Sequence, residues 1–160
     1  MPRGRTESIE FVPADPSAVV AVMDQLASAH HGWVNFLPEV RPEDEPPPHT
    51  GLTLLLAGPV HDVPLCTWVA GALTHRGAQP DSVGVQHAAG TRVLARLTAA
   101  GLGLGAGWRL VQDHPRRGLV VAPASDADRS DVLRWLLSVG ELLSTVPLTG
   151  HWKAEAHLAP

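Results

Sequence analysis

Tyrosine is absent from these 160 residues, and cysteine, lysine, isoleucine and asparagine occur once each. The single cysteine, Cys66, excludes an internal disulfide and agrees with a reducing compartment. Cations are also scarce. Lys153 and eleven arginines face sixteen acids, for a net charge of −4. A polyanion binder carries a basic excess, so nucleic acid is not the expected partner. No apolar run approaches the roughly 20 residues of a membrane span. Arg3 and Arg5 precede no apolar stretch of the kind a signal peptide has. The expectation is a soluble, cytoplasmic chain with no membrane partner.

Catalytic signatures are missing too. Gly101, Gly103 and Gly105 alternate, but no Lys-Ser/Thr follows them, and the run comes after a helix where a dinucleotide fingerprint needs a strand. There is no His-Glu-x-x-His and no Gly-x-Ser-x-Gly, and no family motif can be laid on the chain. No cofactor is expected. A zinc site from His61, Cys66 and a distant histidine has no ligand spacing behind it, so no metal is expected. Cys66, between Leu65 and Thr67, reads as a small buried hydrophobe.

What is present describes a globular chain. Hydrophobic residues make up 44% and charged residues 18%, which is not the composition of a disordered one. Arginine in place of lysine, with 15 Gly and 15 Pro, reads as the bias of a GC-rich bacterial genome, so arginine abundance alone says little about function. A chain of this length buries about two thirds of its unfolded surface, enough for a single domain over residues 1–160.

The chain is organised around Ser125–Val146. Val132, Leu133, Leu136, Val139, Gly140 and Leu143 form one helical row; Trp135, Val139, Leu142 and Val146 form a second. Only Asp131, Arg134, Ser138, Glu141 and Thr145 make a polar stripe, so this helix is expected to be covered on most sides, with Ser125 as its cap. An earlier helix starts at Asp15-Pro16 and ends at Gly32 in a left-handed cap. A third runs from Val93 to Ala100 before Gly101. Strands are expected at Ser8–Val12, Leu52–Ala57 and Val83–Gln86, and at Pro64–Ala72, where Leu65, Trp68, Val69 and Ala72 also fit a helix but Thr67, Trp68, Val69 and Gly71 favour a strand. A hairpin of Trp108–Gln112 with Leu119–Ala122 turns at His114–Gly118, and a last strand begins at Trp152. Trp33–Val40 is apolar without a period and reads as a loop lying over the core, with one wall of a binding pocket as the alternative. Arg41–Thr50 is a proline-rich loop, and Thr74–Ser82 a second loop. The fold class is α+β: a mainly antiparallel sheet with about three helices packed on one face and the long C-terminal-half helix central.

Two turns are the candidate site. His87 ends a strand where a helix begins, with Gly90 and Thr91 between; free backbone N–H groups there attract an anion. Asp113-His114-Pro115-Arg116-Arg117 places two guanidinium groups beside an Asp–His pair that would orient an imidazole for proton transfer. The ligand-binding set is therefore His87, Gly90, Thr91, Asp113, His114, Arg116 and Arg117, and the partner a small anionic ligand or a peptide end. Two alternatives stand beside this binding module. One is a homodimeric interaction module using the Trp135, Leu142, Val146 row; the other is a hydrolase or transferase with His87 or His114 as general base.

Overall fold

The computed structural model describes residues 4–48, 51 and 61–158. In chain order the elements are β1 (Arg5–Phe11), α1 (Ser17–Ala29), β2 (Trp33–Pro38), a 3-10 turn (Pro42–Asp44), β3 (Leu65–Val69), β4 (Leu73–Thr74), β5 (Gly77–Ala78), β6 (Ser82–Gln86), α2 (Val93–Ala99), β7 (Arg109–His114), β8 (Gly118–Ala122), α3 (Arg129–Leu143) and β9 (Trp152–Leu158). The strand expected at Leu52–Ala57 lies outside the described residues.

Among the described residues, seven strands form one sheet in the order β1-β9-β2-β3-β6-β8-β7, and every neighbouring pair is antiparallel. The fold is thus α+β with an antiparallel sheet. The last strand enters between β1 and β2 rather than at an edge. A small hairpin, β4 with β5, occupies what reads in sequence as a loop.

Antiparallel strands alternate their side chains between faces, and the alternation here picks out one covered side. Val34 and Phe36, Cys66 and Trp68, Val83 and Val85, Leu119 and Val121, and Trp152, Ala154 and Ala156 are all buried. α1 lies against β1, β2 and β9, α3 lies against β2, β3 and β6, and the two helices touch each other. Val93 and Leu97 of α2 join the same core. α3 comes close to the sheet at Gly140, where a Cβ would stand 2.7 Å from the Cys66 sulfur and 3.0 Å from the Trp152 ring. Among the described residues no helix is long and apolar enough to cross a membrane.

Several expectations need correction. Trp33–Pro38 is a strand, not a loop over the core. Its periodicity is hidden because Trp33 and Leu37, on the face away from Val34 and Phe36, are apolar as well. The left-handed residue that ends α1 is His30, with φ 56°, ahead of Gly32. Asp15 does not cap α1; its carboxylate accepts the Ser17 hydroxyl at 3.0 Å. α3 is capped by Asp128 rather than Ser125, its Oδ1 accepting the N–H groups of Ser130 (2.8 Å) and Asp131 (3.3 Å). Val146 falls beyond the end of α3. Trp135 is half-buried, donating its indole N–H to the Leu102 carbonyl at 3.0 Å and meeting Trp108 edge-on. Of the second row, Leu142 is the large apolar side chain left exposed among the described residues.

Candidate functional site

Strand β6 carries Val83 and Val85 on the helix-covered face, and the same alternation continues to His87 just past its end. His87 is buried. Its Nδ1 accepts the Ala89 N–H at 3.1 Å, so the neutral ring bears its hydrogen on Nε2, which is buried and has no partner among the described residues. Burial holds its pKa below the ordinary 6.5, aided by Arg96 and His61; Asp113 works in the opposite direction. The unfolded chain therefore takes up a proton that the fold refuses. Stability is complete above the unfolded value and is lost as pH falls from about 6.5 toward the depressed folded value. His87→Asn keeps an acceptor near the Nδ1 position but cannot titrate. Its urea midpoint should fall less between about pH 6.5 and 5 than the wild-type midpoint does. Parallel pH profiles would show that His87 carries no linkage.

The anion expected at the start of α2 is supplied by the chain itself. Asp113, on β7 opposite Leu119, accepts the N–H of Val93 at 3.3 Å and of Leu94 at 3.0 Å with its two carboxylate oxygens. Arg96 closes the turn by donating to the Ala89 carbonyl at 2.7 Å. Gly90 and Thr91 are exposed on that turn. His114 lies one residue further along β7, opposite Gly118, and projects to the other side of the strand. Its Nδ1 accepts the N–H groups of Arg116 (3.1 Å) and Arg117 (3.2 Å), so it braces the hairpin turn and forms no pair with Asp113. The expected Asp–His base is therefore not assembled. Burial against α3 pushes the Cys66 thiol up to about 12, and it donates to the Leu136 carbonyl at 3.7 Å, which makes it an inert packing group.

The two turns are neighbours, but the sheet separates their side chains. A Cβ on Gly118 would stand 2.5 Å from the Val85 carbonyl, which places the hairpin tip beside the end of β6. His87 and Asp113 lie on the helix-covered face. Arg117 instead lines a groove of about 220 Å³ on the opposite face, with Leu65, Thr67, Val69, Ser82, Gln86 and Val120. Arg116 is exposed at the tip.

Register builds this groove. Thr67, Gly84 and Val120 lie side by side across β3, β6 and β8, flanked by Leu65 opposite Gln86 and Val69 opposite Ser82. Gly84 forms the floor. Its φ is not positive, and among the described residues a Cβ there would meet only the Leu119 carbonyl oxygen at 3.7 Å, an ordinary contact. Neither the backbone nor the packing of the described residues requires glycine at this position. A glycine inside a strand often marks close approach by a ligand or another backbone. That was the available sequence signal, and the short Val83–Gln86 run hid it.

A line of polar side chains runs from the groove wall toward β1. The Thr67 hydroxyl donates to Asn35 Oδ1 at 2.9 Å. Asn35 Nδ2 lies 3.5 Å from His157 Nε2, and His157 Nδ1 lies 3.3 Å from the Thr6 hydroxyl. Trp33 stacks on the His157 ring at 4.8 Å and remains 43% exposed.

A larger cleft of about 490 Å³ is lined by Glu10, Leu37, Pro38, Glu39, His151, Trp152 and Lys153. Its acids outnumber its cations. Lys153 is paired with Glu155 at 2.8 Å, and Glu39 accepts the Thr149 hydroxyl at 2.6 Å. Among the described lining residues Lys153 is the only lysine or arginine, and it is already paired. No known protein family, no curated protein and no solved structure matches the chain.

Proposed function

We propose that the protein is a binding module for a small amphipathic anion or the carboxyl end of a peptide, held in the groove over Gly84 with its charge on Arg117. The observation that carries this reading is Gly84 itself, a glycine in the middle of the interior strand β6 that nothing among the described residues requires. Leu65, Val69 and Val120 offer the apolar walls, and Thr67, Ser82 and Gln86 offer hydrogen bonds. A guanidinium at one end suits a carboxylate, which it can hold through two parallel N–H bonds. The volume falls below the range of about 300–1,000 Å³ common for drug-sized ligands, so the guest is small. Among the described lining residues there is no carboxylate, imidazole or thiol, which favours binding over proton-transfer chemistry.

The test uses N-acetyl-leucine, a carboxyl-end mimic, and its amide, by calorimetry or chemical-shift titration. The acid should bind wild type about tenfold or more tightly than the amide, a difference of about 1.4 kcal/mol. Arg117→Gln should erase that preference while leaving the melting temperature unchanged, because the side chain is exposed. Equal affinities for acid and amide in the wild type would refute the role of Arg117.

A further inference from the structure

We infer that Asn35 and His157 are positioning residues for the groove: with His157 neutral the Thr67 hydroxyl hydrogen is drawn into the sheet, and with His157 protonated it is released to an anion in the groove. This rests on the groove reading given above. The inference follows from the direction of each hydrogen bond. Thr67 donates to Asn35 Oδ1, so the amide turns its NH2 toward His157. The Nε2 atom it meets must then be an acceptor, which puts the neutral ring's hydrogen on Nδ1, facing the Thr6 hydroxyl. In this arrangement Thr67 shows the groove only lone pairs, which repel a carboxylate.

Protonation reverses the line. Nε2 gains a hydrogen and can no longer accept from the Asn35 NH2. Rotation of the amide by half a turn brings Oδ1 to His157 and the NH2 to Thr67. Three hydrogen bonds exist before and three after, so the flip leaves no member of the line unsatisfied. Thr67 has become an acceptor inside the sheet, and its hydrogen is free to point at the guest. The groups facing His157 are Thr6 from β1, Trp33 and Asn35 from β2, and Glu155 two residues back along β9. Glu155 is already paired with Lys153, and Arg5 and Glu7, at the alternate positions of β1, pair with each other at 3.0 Å. The line is therefore biased chiefly by the proton on His157, and histidine is the side chain suited to change charge between about pH 5 and 8.

Two readouts test this, and they separate the relay from the groove. In the ligand-free protein, ring-nitrogen NMR should find neutral His157 as the Nδ1–H tautomer. The Thr67 methyl signal should follow the His157 titration midpoint in wild type and cease to follow it in Asn35→Val. In calorimetry, N-acetyl-leucine should bind several-fold more tightly at about pH 5.5 than at about pH 8. That slope should vanish in Asn35→Val, which keeps every histidine, and in His157→Phe, which keeps a ring against Trp33. An Nε2–H tautomer, or a Thr67 signal indifferent to His157, overturns the relay whether or not N-acetyl-leucine binds. Binding without a pH slope in wild type overturns it as well. Intact Thr67–His157 coupling with no binding at either pH establishes the relay and overturns the groove.

Discussion

Replacing Leu136 by alanine should lower stability by about 2–5 kcal/mol, a large share of the roughly 5–15 kcal/mol that holds a domain together. Leu136 is fully buried in the middle of α3, the helix that lies against β2, β3, β6 and α1. Alanine is the better helix former, so propensity pushes in the stabilising direction and the loss comes from packing alone. The surrounding groups are poorly able to collapse into the space. On the sheet side Cys66 is bonded to the Leu136 carbonyl, and at the next turn the Cys66 sulfur and the Trp152 ring are already within about van der Waals reach of Gly140. Leu142, on the same helix and 44% exposed, provides the control; Leu142→Ala should change stability by no more than about 0.5 kcal/mol. Urea unfolding measures both. A Leu136→Ala loss no larger than the Leu142→Ala loss would mean that α3 is not the central packing element.

Gly118→Ala should cost about 2–4 kcal/mol, from backbone strain and overpacking together. Gly118 has φ 85°, in the left-handed region that L side chains rarely adopt, and its added methyl would sit 2.5 Å from the Val85 carbonyl oxygen. That neighbour is backbone in a paired strand, so it cannot swing aside as a side chain could. The Gln112 amide also donates to the carbonyls of Arg117 and Gly118, tying the tip to β7, so any shift breaks those bonds too. Gly90→Ala separates the two contributions. Gly90 has φ 88°, but a Cβ there meets nothing within 4 Å, so it should show the strain alone, about 1–2 kcal/mol. Equal losses at the two glycines would contradict the close approach of the hairpin tip to β6.

The fold was legible wherever one face of an element was apolar and the other polar. α3 shows this over four turns, and β9 shows it as Trp152, Ala154 and Ala156 alternating with Lys153, Glu155 and His157. It was illegible at Trp33–Pro38, because an apolar residue on the uncovered face of a sheet erases the period of the covered one. Caps shifted where side chains competed. Asp128 sits three residues inside Ser125, and a carboxylate accepting two N–H groups caps more strongly than a lone hydroxyl.

The candidate site was legible only in its ingredients. Free N–H groups at the start of α2 do attract an anion, but sequence gives no sign that Asp113, twenty residues on, is carried across the sheet to provide it. Arg117 does line a groove, on the face away from His87, and that choice of face depends on the tip's position beside β6, which only tertiary structure sets. Gly84 stood in plain view, but glycine in a short strand gains meaning only once the space around its missing Cβ is known.

Gly84→Val tests the central claim most directly, because it separates folding from binding by sign. Valine suits a strand better than glycine by up to about 1 kcal/mol, a Cβ at this position makes only an ordinary contact with the described residues, and the valine methyls would point into the open groove. The melting temperature should therefore hold or rise, while the affinity for N-acetyl-leucine falls by about tenfold or more as the floor of the groove is filled. A variant that melts as expected and binds N-acetyl-leucine as tightly as wild type would contradict the account.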